Sequence, residues 1–253
     1  MNSVALILEY DGTNFCGWQI QPNGRSVQEE LQKAWTKLTK TEINFTGSGR
    51  TDAGVHSFAQ VASAYPVDVI IPQNKLSIAL NSVLPNDIFI RKSVYLDFKF
   101  NARFDAKSRE YNYFLSQNYS VFKRFYVTNY KLPFNEDKLF EIADVFLGNN
   151  DFTTFSKVNE GIVNNICNVN VSKWEKLDNE ILVYKIRANH FLYGMVRAIV
   201  GAMLDYARGK RSKEEIIAAL HSKDRSLASP FAPPTGLYLT KVEYDKNINS
   251  LLY

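Results

Sequence analysis

Hydrophobic and polar positions divide the first part of the chain into alternating strands and helices. Residues 3–10 form an apolar run typical of a strand, and Ser26 with Glu29 makes the Ser-x-x-Glu capping box of a helix ending near residue 38. The same criteria predict a helix opened by proline at residues 72–83 and strands at residues 42–48, 58–65 and 87–96. The order strand-helix-strand-strand-helix-strand is that of a split ferredoxin-like unit.

The rest of the chain follows a similar order. The pattern predicts strands at residues 109–116, 166–174, 180–188 and 236–244, and helices at residues 136–147, 191–207 and 212–220. We therefore expect an α/β fold of the α+β kind, built from two pseudo-equivalent ferredoxin-like halves, residues 1–104 and 105–253. Because no Gly/Ser linker separates the halves near residues 100–108, rigid packing between them is expected.

Composition and charge narrow the function classes without naming one. The 253 residues are 45% hydrophobic and 22% charged, typical of a globular protein, and the net charge of +4 is compatible with a polyanionic partner. Two cysteines and three scattered histidines provide neither a disulfide framework nor a recognisable metal spacing. The start of the chain lacks a basic leader, and residues 191–207 are too few and too interrupted for a membrane span, so a cytoplasmic location is expected.

The segment 47–56 carries the first candidate chemistry, because three glycines surround Asp52 and Arg50. Glycines permit left-handed turns and the close approach of a ligand. Asp52 could cap a turn, or act as a nucleophile, a general base or a metal ligand. The length of the segment, and its charges at the entrance to an apolar strand, favour a functional role. His56 is more simply explained as a partner for backbone groups at the start of that strand.

Arg197 is the second informative residue, because it lies on a predicted helix that is apolar almost all round. An unpaired buried guanidinium costs several kcal/mol, so the pattern predicts a carboxylate opposite it. Asp52 is the preferred partner. The alternatives are that the guanidinium reaches the surface or pairs with Asp205.

Aromatic and basic residues are interleaved around a predicted strand on which Tyr111 and Tyr113 share one face. Such tyrosines are usually core residues, but an extruded base also stacks on this residue type. The surrounding sequence resembles a surface that contacts phosphates and stacks bases. Its cations are Arg103, Lys107, Arg109, Lys123 and Arg124, and its aromatic residues are Phe104, Tyr119, Phe122, Phe125 and Tyr126.

Five motifs in order resemble the TruA family of tRNA pseudouridine synthases over nearly the whole chain. They are residues 10–19, residues 49–56, residues 101–104 with 109–113, residues 195–197 with Gly201, and residues 232–239. Two positions depart from the family pattern: the pair Ser57 and Phe58, and Gly194, which falls inside the predicted helix.

The resemblance implies a role for particular residues. Asp52 would be the nucleophile and Arg197 its ionic partner. Tyr111 would pack on the target base, and Arg50 would replace the flipped nucleotide. We also expect Leu237 to bind substrate, with weaker RNA contacts from Arg103, Lys107, Arg109 and His56.

The resemblance also implies an activity and an architecture. The family makes pseudouridine at positions 38, 39 and 40 of the tRNA anticodon stem-loop, as a homodimer in which one tRNA touches both subunits, without cofactor or metal. Its two halves form a continuous, mostly antiparallel sheet flanked by helices, with a central cleft.

Two other functions fit parts of the sequence. A nucleoside or glycoside hydrolase also reacts near an anomeric carbon, but it usually needs two carboxylates, and Asp11 is the only rival acid in a glycine-flanked motif. A non-catalytic RNA-recognition module shares ferredoxin-like topology with aromatic strands, but the chain has no RNP-type aromatic run. For the synthase, attack at C6, attack at C1′ and removal of the 2′ proton all stay open.

Overall fold

The computed structural model describes residues 2–68, 71–157, 164–178 and 180–253. Its strands are β1 (Asn2–Tyr10), β2 (Thr46–Gly47), β3 (His56–Val67), β4 (Ile88–Leu96), β5 (Ser108–Ser116), β6 (Thr128–Asn129), β7 (Gly148–Asp151), β8 (Ile166–Lys176), β9 (Leu182–Ala188) and β10 (Leu237–Glu243). Its helices are α1 (Val27–Thr39), α2 (Gln73–Asn81), α3 (Glu136–Ile142), α4 (Met195–Ala207), α5 (Lys213–Ser222) and α6 (Lys246–Leu252).

The chain separates into two compact units, Met1–Lys107 with Tyr238–Tyr253, and Ser108–Leu237. Each unit combines helices with mostly antiparallel strands, so the expected α/β class is confirmed. The expected division into residues 1–104 and 105–253 stays a prediction. In these units the first stretch of chain reaches Lys107 and is joined by the segment from Tyr238 onwards. The continuous sheet and the central cleft implied by the resemblance stay predictions. No helix among the described residues has the length and apolar character needed to cross a membrane.

The first unit is a sheet with the strand order β4-β1-β3-β10, to which β2 adds on β3. β1 is antiparallel to both β3 and β4, whereas β10 runs parallel to β3 with Tyr238 opposite His56. α1 and α2 bury Leu31, Trp35 and Leu76 against the apolar face of β1. The predicted order strand-helix-strand-strand-helix-strand is confirmed for residues 2–96, and Ser26 caps α1 through Glu29 N–H.

Strand β2 is shorter than the predicted strand 42–48 because side chains of α1 take the backbone groups of Phe45. The Gln28 side-chain amide donates to Phe45 O at 2.7 Å, and Phe45 N–H donates to Gln32 Oε1 at 3.3 Å. These bonds satisfy the buried backbone without a neighbouring strand. Regular pairing therefore begins only at Thr46.

The second unit is a sheet with the order β5-β9-β8-β7, in which neighbouring strands are antiparallel, and β6 pairs in parallel with β5. The predicted helix 191–207 starts late, at Met195. Gly194 is the residue that caps it, with a left-handed φ of 71°, so the expectation that Gly194 lies inside the helix is wrong. A Cβ there would lie 2.8 Å from the Phe231 ring, which makes glycine the residue that fits both the space and the backbone.

A buried serine fastens one end of β1 in the first unit. Ser3 Oγ donates to Phe98 O at 2.7 Å and accepts from Phe100 N–H at 2.9 Å. One hydroxyl thus satisfies two backbone groups of the chain that follows β4. Alanine at this position would leave both groups buried without that partner.

We predict that Ser3→Ala lowers the free energy of unfolding by about 1–3 kcal/mol, the usual cost of orphaned buried polar groups. The measurement is urea unfolding followed by circular dichroism. Ser82→Ala is the matched control, because Ser82 Oγ donates to Ala79 O at the exposed end of α2, and its loss should change stability by less than about 0.5 kcal/mol. Equal effects of the two substitutions would contradict this account of Ser3.

Candidate active-site loop

Asp52 lies in the connection between β2 and β3, which we call the Asp52 loop and define as residues 48–55. Its first residues are fixed to β3: Ser48 N–H donates to Val61 O at 2.7 Å, and Ser48 Oγ donates to Gln60 Oε1 at 2.6 Å. The Gln60 amide in turn donates to Gly49 O at 2.9 Å. Because Ser48 and Gln60 are buried, these bonds hold the base of the loop in a low-dielectric environment where they are strong.

The N-terminal motif, residues 10–19, holds the loop on both sides of Asp52. Trp18 N–H donates to Thr51 O at 3.1 Å, and Gly54 N–H donates to Phe15 O at 3.3 Å. The hydroxyls of Tyr10 and Thr51 lie 2.8 Å apart and are buried. Burial raises the pKa of Tyr10, so its hydroxyl keeps its proton and can donate at neutral pH.

Two glycines let these backbones come into direct contact. Gly17 has a φ of 100°, and a Cβ there would lie 2.4 Å from Thr51 O and 3.1 Å from the carbonyl carbon of Asp52. A Cβ on Gly12 would lie 2.1 Å from Val55 O. No side chain fits at either position without moving the loop. The glycines of the motif are thus explained by the close approach of the loop backbone.

Asp52 itself is half-buried and stands between the buried residues Thr51 and Val55. Val55 N–H donates to the backbone carbonyl of Asp52 at 3.2 Å, so this bond of the turn does not require the carboxylate. Arg50, two residues earlier, is exposed. The loop thus carries an acid and a solvated cation on a backbone whose neighbouring residues are fixed.

His56 is buried at the start of β3, where it contacts a backbone amide and an aromatic ring of its surroundings. Its Nδ1 accepts from Gly12 N–H at 3.1 Å and lies 3.2 Å from Asp11 Oδ1. Its ring stacks on Tyr238 at 4.6 Å between centroids, and the half-exposed Phe58 stacks on the same tyrosine at 4.9 Å. The interpretation of His56 as a partner of backbone groups fits this position better than RNA contact does.

Asp11, the rival acid of the glycine-flanked motif, caps a local turn, and the Cys167 thiol is protonated. Asp11 Oδ1 accepts from Thr13 N–H at 3.0 Å and from the Thr13 hydroxyl at 2.6 Å, which makes Asp11 the cap of a 3₁₀ turn. Cys167 Sγ lies 3.5 Å from His190 Nε2, but burial raises the pKa of Cys167 to about 12, so the thiol is protonated at neutral pH. Among the residues that the structure describes, no group of three or more His, Cys, Asp or Glu side chains is placed to hold a metal ion.

Tyr111 and Leu237 are buried in the second unit. Tyr111 meets Phe191 edge-on, with 5.0 Å between ring centroids. Its neighbour on the same face of β5, Tyr113, is also buried, with its hydroxyl 2.8 Å from Thr128 Oγ1 and 3.0 Å from Pro233 O. Burial raises the pKa of Tyr113 as well.

Arg197 is half-buried on the first turn of α4. Its Nε donates to Ala232 O at 2.8 Å, and its own carbonyl accepts from Ala232 N–H at 3.0 Å. The guanidinium lies 5.5 Å from the centroid of the Phe231 ring. Asp205, the alternative partner, lies 4.0 Å from Lys210 Nζ. Ala232 thus orients the arginine from its Nε side, a contact that the helical pattern alone does not reveal.

The expected weaker RNA contacts occupy different environments. Arg103 and Lys107 are exposed, and Lys107 Nζ lies 3.3 Å from Asp245. Arg109 is buried, and its Nη1 donates to Asn189 O at 2.9 Å, which favours a structural role. Asp52, Arg50 and His56 therefore lie together in the first unit, whereas Tyr111, Arg197 and Leu237 lie in the second.

Replacing Gly17 should loosen the Asp52 loop without unfolding the unit. In Gly17→Ala, we expect faster hydrogen exchange at the amides of Trp18 and Val55, because an added Cβ displaces Thr51 O and the carbonyl of Asp52. Hydrogen–deuterium exchange with peptide-level mass spectrometry measures this effect.

Gly148→Ala is the matched control for this prediction. Gly148 also has a positive φ, of 91°, but no atom lies within 4 Å of the position its Cβ would take. Alanine at position 148 therefore adopts the same unfavourable backbone conformation, but its Cβ does not clash with neighbouring atoms. Exchange in the Asp52 loop that is as slow in Gly17→Ala as in Gly148→Ala would refute the close-packing argument.

Comparison with known proteins gives a consistent result. The family described as tRNA pseudouridine synthase matches residues 6–105 and 142–245. A tRNA pseudouridine synthase A from Thermoanaerobacter sp. (strain X514) is 40% identical over 246 residues, which are 96% of this chain and 100% of the relative. The Bacteroides fragilis protein of the same name is 38% identical over 247 residues, 96% of each chain. An archaeal box H/ACA sRNP Nop10–Cbf5 complex gives a TM-score of only 0.38 at 11% identity, over 95% of this chain and 50% of that chain, and supports no argument.

The family match covers most of the chain, and both curated relatives align with it over nearly its full length. The chain therefore belongs to the tRNA pseudouridine synthase family and is an isomerase that acts on tRNA.

Proposed function

We propose that this enzyme makes pseudouridine at positions 38, 39 and 40 of the tRNA anticodon stem-loop, with Asp52 as the nucleophile. The observation that carries the proposal is the construction of the Asp52 loop. Hydrogen bonds from Trp18 and Gly54 fix the backbone on either side of a half-buried carboxylate. Such fixation is what a reacting group needs, since misplacement by about 1 Å can cost a hundredfold in rate.

The isomerisation requires one well-placed carboxylate from the enzyme and little other chemistry. The bond between uracil N1 and ribose C1′ breaks, the detached base turns, and a bond forms between C5 and C1′. The proton on C5 is lost and N1 gains one, so the reaction is an isomerisation without oxidation or reduction. Asp52 can take part by adding to C6, by adding to C1′, or by removing the 2′ proton, and all three routes depend on the same side chain.

The target base must leave its stack, which costs a few kcal/mol. We propose that Arg50 fills the vacated position in the RNA stem, while Tyr111 and Leu237 contact the base. The exposure of Arg50, two residues from Asp52, supports its role. The ion pair between Arg197 and Asp52 stays a prediction.

We further propose the assembly that the resemblance implies. The enzyme would be a homodimer in which one tRNA touches both subunits, and it would work without cofactor or metal in the cytoplasm. The exposed Arg103 and Lys107 are suited to contact phosphates of that tRNA, whereas the burial of Arg109 and His56 suits a supporting role.

Asp52→Ala should abolish pseudouridine formation. The assay incubates enzyme with unmodified tRNA transcript and maps pseudouridine by primer-extension stops after carbodiimide treatment, which wild type should produce in the anticodon stem-loop. Binding of tRNA should stay within about tenfold, a change of roughly 1.4 kcal/mol. Asp97→Asn, which removes an exposed acid of the same unit, should leave the stops intact.

Four outcomes would count against the proposed function. Primer-extension stops that persist in Asp52→Ala would rule out Asp52 as the nucleophile. Stops confined to other tRNA positions would rule out positions 38, 39 and 40 as the modified sites. Release of free uracil in place of pseudouridine would indicate a hydrolase. Binding without any product from wild type would instead favour the non-catalytic RNA-recognition module.

Arg50→Ala should lower kcat/KM by roughly tenfold or more, because an extruded base would no longer be replaced in its stem. Steady-state kinetics on the same transcript measure the loss. Arg91→Ala is the matched control, since Arg91 is an exposed arginine of the same unit that is already paired with Glu9. Turnover by Arg50→Ala that equals turnover by Arg91→Ala would rule out the assigned role.

A further inference from the structure

The connection between β5 and β6, residues 117–127, presents a dense group of exposed aromatic side chains, and we call it the aromatic loop. Phe122 is 88% exposed and Tyr119 is 63% exposed, which are large fractions for residues of this size. The same loop also exposes Val121, Phe125 and Tyr126. Contiguous exposed apolar groups on a globular protein mark a contact surface more often than scattered single residues do.

The loop is built from tight turns with fixed ends. Lys123 N–H donates to Ser120 O at 3.2 Å, and the amides of Tyr126 and Val127 both donate to Lys123 O at 2.9 Å. At the base, Leu115 pairs with Thr128, where β5 and β6 run in parallel. The aromatic side chains are therefore displayed on an ordered backbone, which reduces the entropic cost of binding a partner.

The charge of this region has one sign. Residues 117–135 contain Lys123, Arg124 and Lys131 but no aspartate or glutamate. The Arg124 guanidinium lies 4.1 Å from the centroid of the Phe125 ring and donates to Val121 O within the loop. Acids from outside the loop approach Lys123, since Glu180 lies 3.4 Å from its Nζ, with both side chains solvated, and Asp178 also interacts with it electrostatically. Arg124 is thus held next to the exposed rings as a surface cation.

We propose that the aromatic loop is an RNA-binding surface, on which unpaired nucleotides of the tRNA substrate stack on Phe122 and Tyr119 while Arg124 contacts a phosphate. The inference rests on the proposed function, because it takes tRNA as the occupant. Aromatic faces and cations held side by side match the two features of unpaired RNA, its bases and its phosphates.

Charge favours RNA over a second copy of this chain. A symmetric dimer contact through the same patch would bring Arg124 close to its own copy, and like charges oppose such a contact. A polyanion instead gains from this cation through release of its counterions.

The test compares tRNA binding with chemistry. Phe122→Ala should weaken binding of unmodified tRNA transcript by roughly tenfold, within the range found for loss of one base–aromatic stack. Arg124→Gln should reduce the slope of log affinity against log salt by about 0.7 to 0.9, the contribution of one phosphate contact. The single-turnover rate at saturating enzyme should stay at the wild-type value for both variants, because the loop binds and does not react.

Phe89→Ala is the matched control. Phe89 is 45% exposed on β4 with the Arg91 guanidinium 5.5 Å from its ring centroid, so it repeats the pairing of ring and arginine. There, however, Glu9 neutralises the arginine. This substitution should leave both tRNA affinity and its salt dependence unchanged.

The outcomes separate this inference from the proposed function. The inference would be overturned if Phe122→Ala and Phe89→Ala bound the tRNA transcript with equal affinity. It would also be overturned if Phe122→Ala shifted the protein from dimer to monomer in sedimentation while its tRNA affinity stayed unchanged. If wild type forms no pseudouridine in the anticodon stem-loop, the proposed function fails, while the binding comparison still decides the role of the loop.

Discussion

The backbone of the Asp52 loop lies directly against the backbone of the N-terminal motif, and the placement of the Asp52 carboxylate depends on this contact. Gly12 and Gly17 remove the side chains that would separate the two segments, at Val55 O and Thr51 O respectively. Hydrogen bonds and one buried pair of hydroxyls then fix their register. The two segments, residues 10–19 and 48–55, thus hold each other in place on both sides of Asp52 although they are distant in the chain.

Elements with a strong local pattern could be predicted from the sequence. The apolar run of β1, the serine cap of α1 and the nearly all-apolar α4 each indicate one structure. Two elements that the pattern missed are short, since β6 is two residues long and β7 is four polar or glycine residues. β10 was predicted as a strand, but its pairing with β3 across some 180 positions of the chain was not. Local periodicity contains no signal for such pairing.

The site residues divide in the same way, into those that the local sequence indicates and those whose contacts depend on distant parts of the chain. Asp52 and Arg50 could be singled out because a glycine-rich loop with two charges is unusual at the entrance of a strand. The stack of His56 on Tyr238 could not, since it requires the parallel pairing of β10 with β3. The contact of Arg197 with Ala232 likewise joins a helix to a loop 35 residues away. Motif spacing identified these residues as a set, but only the three-dimensional contacts show which groups His56 and Asp11 meet.

The most direct test of this account is a double-mutant cycle on the buried hydroxyl pair, read as the single-turnover rate of pseudouridine formation. If the pair positions Asp52, Tyr10→Phe and Thr51→Val should each slow the rate by roughly tenfold to a hundredfold. The double variant should be no slower than the slower single variant, because one interaction can be lost only once. Single variants that react at the wild-type rate, or losses that multiply in the double variant, would contradict the claim that the N-terminal motif positions the catalytic loop.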